Sequence, residues 1–414
     1  MLSTSTITVD LGAVERNLAA IRDTLDAGDG SDPVRICAVI KADAYGLGAV
    51  RLAHRLEKCG VEMFGVYTLE EAVELLAASV RTPILVMSPV RSIADSDALY
   101  RAVSHGRLHF AVHSLEQAEC LGRQADRFGV EIPAHLDLNT GMNRGGVRLE
   151  EAGEVLESLL AHRRMILAGV STHFASAERD AAATAEQARR FEAFLAEHAD
   201  RIPPKAVRHA ANTFGLFRSR STHLQMVRVG FALAGYGEEE MGDPGAFELL
   251  GFARRLEPAV RWVTEIAHLQ WVDAGERVGY AGTWTAPRRT RVALAPVGYA
   301  DGYPWSLSGT GVVRLRAGDE WLEAPVIGRV SMDQITIDVT DVPAGGAAIG
   351  SEVELIGTDR DAPTHLPEVA RRAGTISHEL LCRLSRRARR RYESHREPAA
   401  AGVVTRFSPT GQHV

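Results

Sequence analysis

Eight short apolar runs, each followed by a longer segment of different texture, limit what this chain can fold into more than any other feature. They fall at Ile36–Lys41, Met63–Thr68, Pro83–Met87, Leu108–Val112, Ala134–Leu138, Ala168–His173, Val207–Ala211 and Met226–Leu233. Their continuous Val, Ile, Leu and Ala character suits parallel strands buried on both faces. The intervening segments read as helices, among them Leu69–Ala78, Ser114–Phe128 and Ala181–His198, and Ser114 with Gln117 has the spacing of a helix N-cap. Eight strands alternating with helices predict a (β/α)8 barrel, an α/β barrel of the TIM type, with an open doubly wound sheet as the rival. The rival expects a Gly-x-Gly-x-x-Gly turn after its first strand, and the residues there are Lys41-Ala-Asp-Ala-Tyr-Gly46.

The texture changes near Met241–Gly251. Beyond it come short runs separated by turn residues: Ala259–Leu269, Arg291–Pro296, Gly311–Leu315, Ala324–Val330, Gln334–Val339 and Glu352–Ile356. These predict a mainly antiparallel β domain. The expected division is a barrel over 8–245, a C-terminal β domain over 246–396 that residues 1–7 could join, and a disordered tail over 397–414. A chain of 414 residues is long enough for two such cores.

Charge and cysteine usage exclude several functions. A net charge of −6 argues against a nucleic-acid binder. The one basic run, Arg383 with Arg386, Arg387, Arg389, Arg390 and Arg391, reads as a solvated helix or strand. Cys37, Cys59, Cys120 and Cys382 are scattered, which fits free thiols in a reducing compartment. Met1–Asp10 has no signal-peptide pattern, and no apolar run approaches the ~20 residues of a membrane helix. A cytoplasmic protein is expected. His105, His109 and His113 recur every four residues, but the strand-like run at 108–112 and the lack of a fourth ligand argue against a metal site.

Reactive residues of a (β/α)8 barrel sit at the C-terminal ends of its strands. Lys41, Arg144, His173, Asn212 and Arg228 are placed there. Each alone has a plain structural reading: a rim lysine, a packed histidine, arginines paired with carboxylates. Gathered at one mouth they suit other chemistry. Desolvation disfavours a charged lysine and frees its amine to attack a carbonyl. Two arginines beside it suit an anionic ligand. Together they point to a cofactor or substrate that carries an aldehyde and negative charge.

The segment Ala38-Val-Ile-Lys-Ala-Asp-Ala-Tyr-Gly-Leu-Gly48 resembles the cofactor-lysine signature of the alanine racemase family, which uses pyridoxal 5'-phosphate. Thr140-Gly-Met-Asn-Arg144-Gly, Thr172-His-Phe-Ala175, Met226-Val-Arg228-Val-Gly230, Gly298-Tyr-Ala-Asp-Gly-Tyr-Pro304 and Gly328-Arg-Val-Ser-Met-Asp-Gln334 are similar to further blocks of that family, in order. The resemblance covers about residues 5 to 392. It implies a barrel followed by a β domain, a homodimer with composite sites, and interconversion of L- and D-alanine for D-alanine supply. By this match Lys41 holds the cofactor and serves as one base, while Tyr280 of the partner subunit serves as the other, on the opposite face of the α-carbon. Arg228 donates to the pyridine nitrogen, and His173 packs beside the ring. Tyr45, Asn212, Thr213, Gly230, Phe231 and His378 complete the cofactor set. Arg144, Met332 and Tyr299 make the substrate set.

The chain departs from the family pattern at several positions. His378 stands for a phosphate-touching tyrosine and Trp305 for an arginine at the entrance. Asp137 stands for a lysine that is often carbamylated and orients the active-site arginine, so its carboxylate is expected to pair with Arg144. Ala234 and Ala281 replace a tyrosine and a glycine. These changes keep open an alternative function, racemisation or decarboxylation of a different or larger amino acid. A non-catalytic pyridoxal-phosphate binder is a third reading, against which the β domain counts.

Overall fold

The computed structural model describes residues 5–26, 33–93, 97–242, 247–343 and 345–394. They divide into two compact units, one of residues 14–257 and one that combines the chain up to residue 13 with the chain from residue 258. The stretch expected as a tail, 397–414, lies outside the described residues.

All eight apolar runs form strands of one parallel sheet in the first unit: Arg35–Val39, Met63–Val66, Ile84–Val86, Leu108–Val112, Ile132–Asn139, Met165–Thr172, Val207–His209 and Met226–Val229. The first seven pair in sequence, and the eighth returns to pair in parallel with the first, Met226 opposite Arg35. The seventh and eighth are joined by two backbone bonds, Gln225 N–H to Arg208 O (3.1 Å) and Arg228 N–H to Ala211 O (2.8 Å). The result is a nearly closed barrel, as the sequence predicts.

Strand periodicity explains the double burial. Cys37, Met63, Leu85, Ala111, Val207 and Met226 pack as one apolar layer inside the bore. Residues of the opposite parity, such as Phe64, Phe110, Val170 and Val227, are fully buried on the outer face. The helix Leu115–Phe128 starts where Ser114 accepts from the Gln117 N–H (3.2 Å) and stops at Gly129, whose φ of 67° ends a helix without a Cβ clash.

The second unit is a nine-stranded sheet. Its order is His268–Val272, Thr290–Ala295, Ile335–Asp338, Glu320–Ile327, Val312–Ala317, Glu352–Ile356, Val260–Glu265, Ser5–Asp10 and Arg389–Glu393. All neighbours are antiparallel except the last two, Ser5–Asp10 and Arg389–Glu393, which are parallel. The run Ala259–Leu269, expected as one strand, contributes to two. Two helices, Leu366–Arg372 and Ser377–Cys382, interrupt the β pattern. The basic run ends as the edge strand Arg389–Glu393, with Arg387 paired to Asp333 (2.8 Å) and Arg391 to Glu393 (3.1 Å).

Within this sheet Arg314 is 3% exposed and its guanidinium grips Glu354 Oε1 through Nε (2.9 Å) and Nη2 (2.7 Å). Arg261 reaches the other Glu354 oxygen (3.1 Å) and Glu352 (2.6 Å), and Thr364 donates to Glu354 Oε1 (2.7 Å). Arg314 Nη1 is held by Asp359 (2.8 Å). Every charge in this buried group has a partner.

Candidate active site

A cavity of about 380 Å3 opens at the C-terminal ends of the barrel strands. Lys41, Arg144, His173 and Arg228 line it together with Asp137, Ser171, His209, His113 and Tyr67. Three side chains of cationic type thus face one carboxylate. A larger depression of about 630 Å3 lies in the second unit against Tyr299, Tyr303, Trp305 and Arg383. It is the more open of the two and lacks a lysine or histidine, so the smaller cavity is the chemical one.

Lys41 follows the first strand after Ile40 and opens a turn of unusual hand. Ala42, Asp43, Ala44 and Tyr45 have φ of 52°, 53°, 53° and 57°, a full left-handed turn of non-glycine residues. Such residues cost roughly 1–2 kcal/mol each in this conformation. Local bonds offset that cost: Ala44 N–H to Ile40 O (2.8 Å), Gly46 N–H to Ala42 O (2.8 Å), Ala49 N–H to Asp43 Oδ1 (2.7 Å) and Ala42 N–H to Glu71 Oε1 (2.6 Å). Glu71 belongs to the helix Leu69–Ala77, where it also closes a capping box with Thr68. The helix that follows the second strand therefore braces the turn that follows the first.

Arg228 lies at the floor of the cavity, 7% exposed. Its Nη1 donates to His209 Nδ1 (2.8 Å) and His209 O (3.1 Å). Its Nη2 faces Thr172 O (2.7 Å), Ala210 O (3.1 Å) and His173 Nδ1 (3.3 Å). Among the described residues its Nε–H alone has no protein acceptor. Burial, followed by the charges of Arg228 and Arg144, holds the His173 pKa down to about 3, so this ring is neutral.

Asp137 does not take Arg144 as partner, contrary to the expectation from sequence. Its carboxylate accepts from Ser171 Oγ (2.7 Å) and lies 3.3 Å from His113 Nδ1. Both partners stand on the bore face of neighbouring strands, nearer than the loop that carries Arg144. The pair lowers the Asp137 pKa and raises that of His113 against the opposing effect of burial. The three histidines weighed for metal diverge: His105 bonds Arg101 O (2.6 Å), His109 bonds His135 and His113 bonds Met87 O (2.9 Å).

Asn212 caps the helix Thr213–Arg218 by accepting from Gly215 N–H (2.9 Å), and Thr213 Oγ1 accepts from Ala232 N–H (3.3 Å). A Cβ at Gly230 would lie 2.5 Å from the Tyr45 hydroxyl, so Tyr45, Thr213, Gly230 and Phe231–Ala232 converge. Tyr280, Tyr299, Met332 and His378 belong to the second unit and are not among the residues that line the cavity. Tyr280 is 72% exposed on a tight loop where Ala281 takes φ 59°. Trp305 is exposed beneath the Arg329 guanidinium, 5.1 Å from its ring.

Sequence reasoning missed His135 and His209 as polar members of the bore. Their one signal is a histidine within a strand-like run, second in Ala134–Leu138 and third in Val207–Ala211.

Residues 9–238 match a family model described as alanine racemase, N-terminal domain, and residues 259–392 one described as alanine racemase, C-terminal domain. An alanine racemase of Symbiobacterium thermophilum is 36% identical over 93% of this chain and 96% of its own length. The crystal structure of alanine racemase from D-cycloserine-producing Streptomyces lavendulae superposes with a TM-score of 0.82 at 28% identity, over 96% of this chain and 99% of that one. That of Bartonella henselae, with covalently bound pyridoxal phosphate, gives 0.77 at 27% identity, over 94% and 99%.

Proposed function

The chain belongs to the alanine racemase family, and from that premise we propose that it interconverts L- and D-alanine with pyridoxal 5'-phosphate at the cavity around Lys41. The observation that carries this reading is the convergence of Lys41, Arg144 and Arg228 on a cavity that offers one carboxylate in return. Such an excess of positive charge suits a ligand with a phosphate, a phenolate and a substrate carboxylate.

The residues fit this cofactor at two places. Arg228 has one N–H without a protein acceptor, which suits a ring nitrogen that keeps its lone pair. Tyr45 closes over Gly230 beside Thr213 and Phe231, where only a glycine leaves room, which suits a phosphate cradle. Asn212 shapes this cradle as the helix cap.

When bound, pyridoxal phosphate supplies an electrophilic carbonyl and a conjugated ring that spreads the charge left on the α-carbon. Lys41 Nζ would hold the cofactor and move the proton on one face of that carbon. Tyr280 Oη moves it on the other, since inversion needs a group on each side. Arg228 cannot release its proton, so it would leave a ring nitrogen beside it unprotonated and the ring a weaker acceptor of electrons. His173, a neutral imidazole, would pack beside the ring. Arg144, Tyr299 and the backbone of Met332 orient the substrate carboxylate.

Tyr280, Met332 and Tyr299 are all exposed on this chain. A homodimer in which each protomer brings these residues to its partner's cavity gives them a use that a monomer does not. Lys41 and Tyr280 would then serve one composite site.

The test is proton NMR of L-alanine with the pyridoxal-phosphate-loaded protein in D2O, followed by chiral analysis. Loss of the α-proton signal with appearance of D-alanine is the expected result. No exchange on alanine, but exchange on a larger amino acid, would move the reading to the alternative substrate that Trp305 and His378 first suggested.

A further inference from the structure

His109, His135 and His209 stand on the fourth, fifth and seventh barrel strands, and their ring nitrogens meet end to end. His209 Nδ1 lies 2.8 Å from Arg228 Nη1, and His209 Nε2 lies 2.9 Å from His135 Nδ1. His135 Nε2 lies 3.0 Å from His109 Nδ1, and His109 Nε2 lies 3.1 Å from the Gly106 carbonyl oxygen. The chain runs the length of the bore, from the start of the fourth strand to the arginine beneath the cavity.

Its two ends determine the proton positions between them. An arginine N–H only donates, so His209 Nδ1 accepts. A neutral ring then carries its proton on Nε2 and donates to His135 Nδ1. The same step repeats from His135 to His109, and His109 Nε2–H ends on a carbonyl, which only accepts. No link is in conflict, and all three rings take the same tautomer. Burial holds His135 and His209 well below the ordinary histidine range and His109 at about 4, so the rings are neutral near pH 7.

The link from the fifth strand to the seventh has to cross the sixth. His135 stands in register with Gly169 of the sixth strand, where a Cβ would lie 2.3 Å from His135 Nδ1. Any side chain there would block the passage by which His135 reaches His209.

We propose that His135 and His109 are positioning residues for Arg228: with His209 they form a one-way row of neutral imidazoles that fixes which N–H of the arginine faces the cavity. The row occupies Nη1, carbonyl oxygens occupy Nη2, and Nε–H is left for the ligand. The functional half of this inference rests on the reading above, in which that N–H meets the cofactor ring nitrogen. The histidine row itself is a property of the protein alone.

The test is nitrogen-15 NMR of the full chain labelled in its histidine rings, read near pH 7. The wild type is expected to show His109, His135 and His209 as neutral rings protonated at Nε2. Gly169→Ala, which cuts the row without removing a ring, and His109→Phe, which removes only the outer acceptor, should each shift the remaining rings toward mixed tautomers. An Nδ1–H tautomer at His209, a protonated ring in the row, or unchanged rings in both variants would overturn the proposal. A second readout uses pyridoxal phosphate labelled at its ring nitrogen. The nitrogen signal should move in His109→Phe, and a signal identical to wild type would reduce the histidines to packing groups. A protein that shows the three tautomers but takes up no pyridoxal phosphate would count for the row and against the racemase reading.

Discussion

The two units bury polar groups in opposite ways. In the β unit, Arg314 and Arg261 share Glu354, Glu352 and Asp359, so the charges balance within the sheet. In the barrel, Arg228 is as deeply buried but is surrounded by neutral histidines and carbonyl oxygens, and the nearest carboxylate, Asp137, is taken by His113 and Ser171. One unit closes its electrostatics internally, whereas the other leaves positive charge for something the chain does not contain. Burial of charge does not by itself mark a site. Imbalance does.

Three experiments can break or sharpen that comparison. The largest effect is expected at Lys41. Lys41→Ala should lower racemisation by about 10^4-fold or more, ~5.5 kcal/mol of barrel chemistry, with a change in folding stability below about 1 kcal/mol. A cation is being removed from a cavity that has too many. Turnover assays alongside thermal unfolding check this, and a large fall in melting temperature would show that the barrel charges are balanced after all.

Glu354→Gln makes the converse point. It leaves Arg314 buried with its main partner gone, and loss of one member of such a pair costs about 3–5 kcal/mol. Denaturant or thermal unfolding of the full chain should show that loss, with the affinity of the barrel cavity for pyridoxal phosphate unchanged.

Acid gives the smallest effect per group and the most selective one. His109, His135, His173, His209 and His223 have depressed pKa values in the folded barrel, so the unfolded chain binds more protons and stability falls as pH drops below about 6.5. His113, whose pKa is raised, acts with the opposite sign: its contribution is present below about 6.5 and lost as pH rises. Each strongly depressed histidine contributes about 1.4 kcal/mol at one pH unit below 6.5 and His113 offsets at most about one of them, so His109, His135, His173 and His209 leave a net loss of roughly 4 kcal/mol between pH 7.5 and 5.5. Calorimetric melting of the full chain at the two pH values measures it. The increment from Glu354→Gln should be the same at both, because the arginines it leaves behind titrate far above this range.

Much of this was legible in the sequence, and the rest was hidden for identifiable reasons. The eight strands were readable because burial on both faces writes an unbroken apolar run. Ser114 was readable because a cap acts over three residues. The pairing of Ser5–Asp10 with Arg389–Glu393 was not, since it joins the two ends of the chain and no local pattern encodes it. Lys41, Arg144, His173 and Arg228 were legible as a mouth because each ends a strand or follows one. The partner of Asp137 was misread because loop and strand neighbours look alike in one dimension. The histidine row was invisible because a histidine between apolar residues reads as packing, and its meaning depends on a glycine of another strand.

The left-handed turn at residues 42–45 changes how the segment after Lys41 should be interpreted. A β-branched residue at any of those four positions would crowd a backbone already bent the wrong way, while glycine would relax it. The small side chains of Ala42 and Ala44 therefore answer to handedness and not to the reaction. A search pattern built on them recognises a fold of the backbone, so it would also find relatives whose lysine performs some other task. Those two letters are evidence of shape, and the lysine and Tyr45 are the evidence of trade.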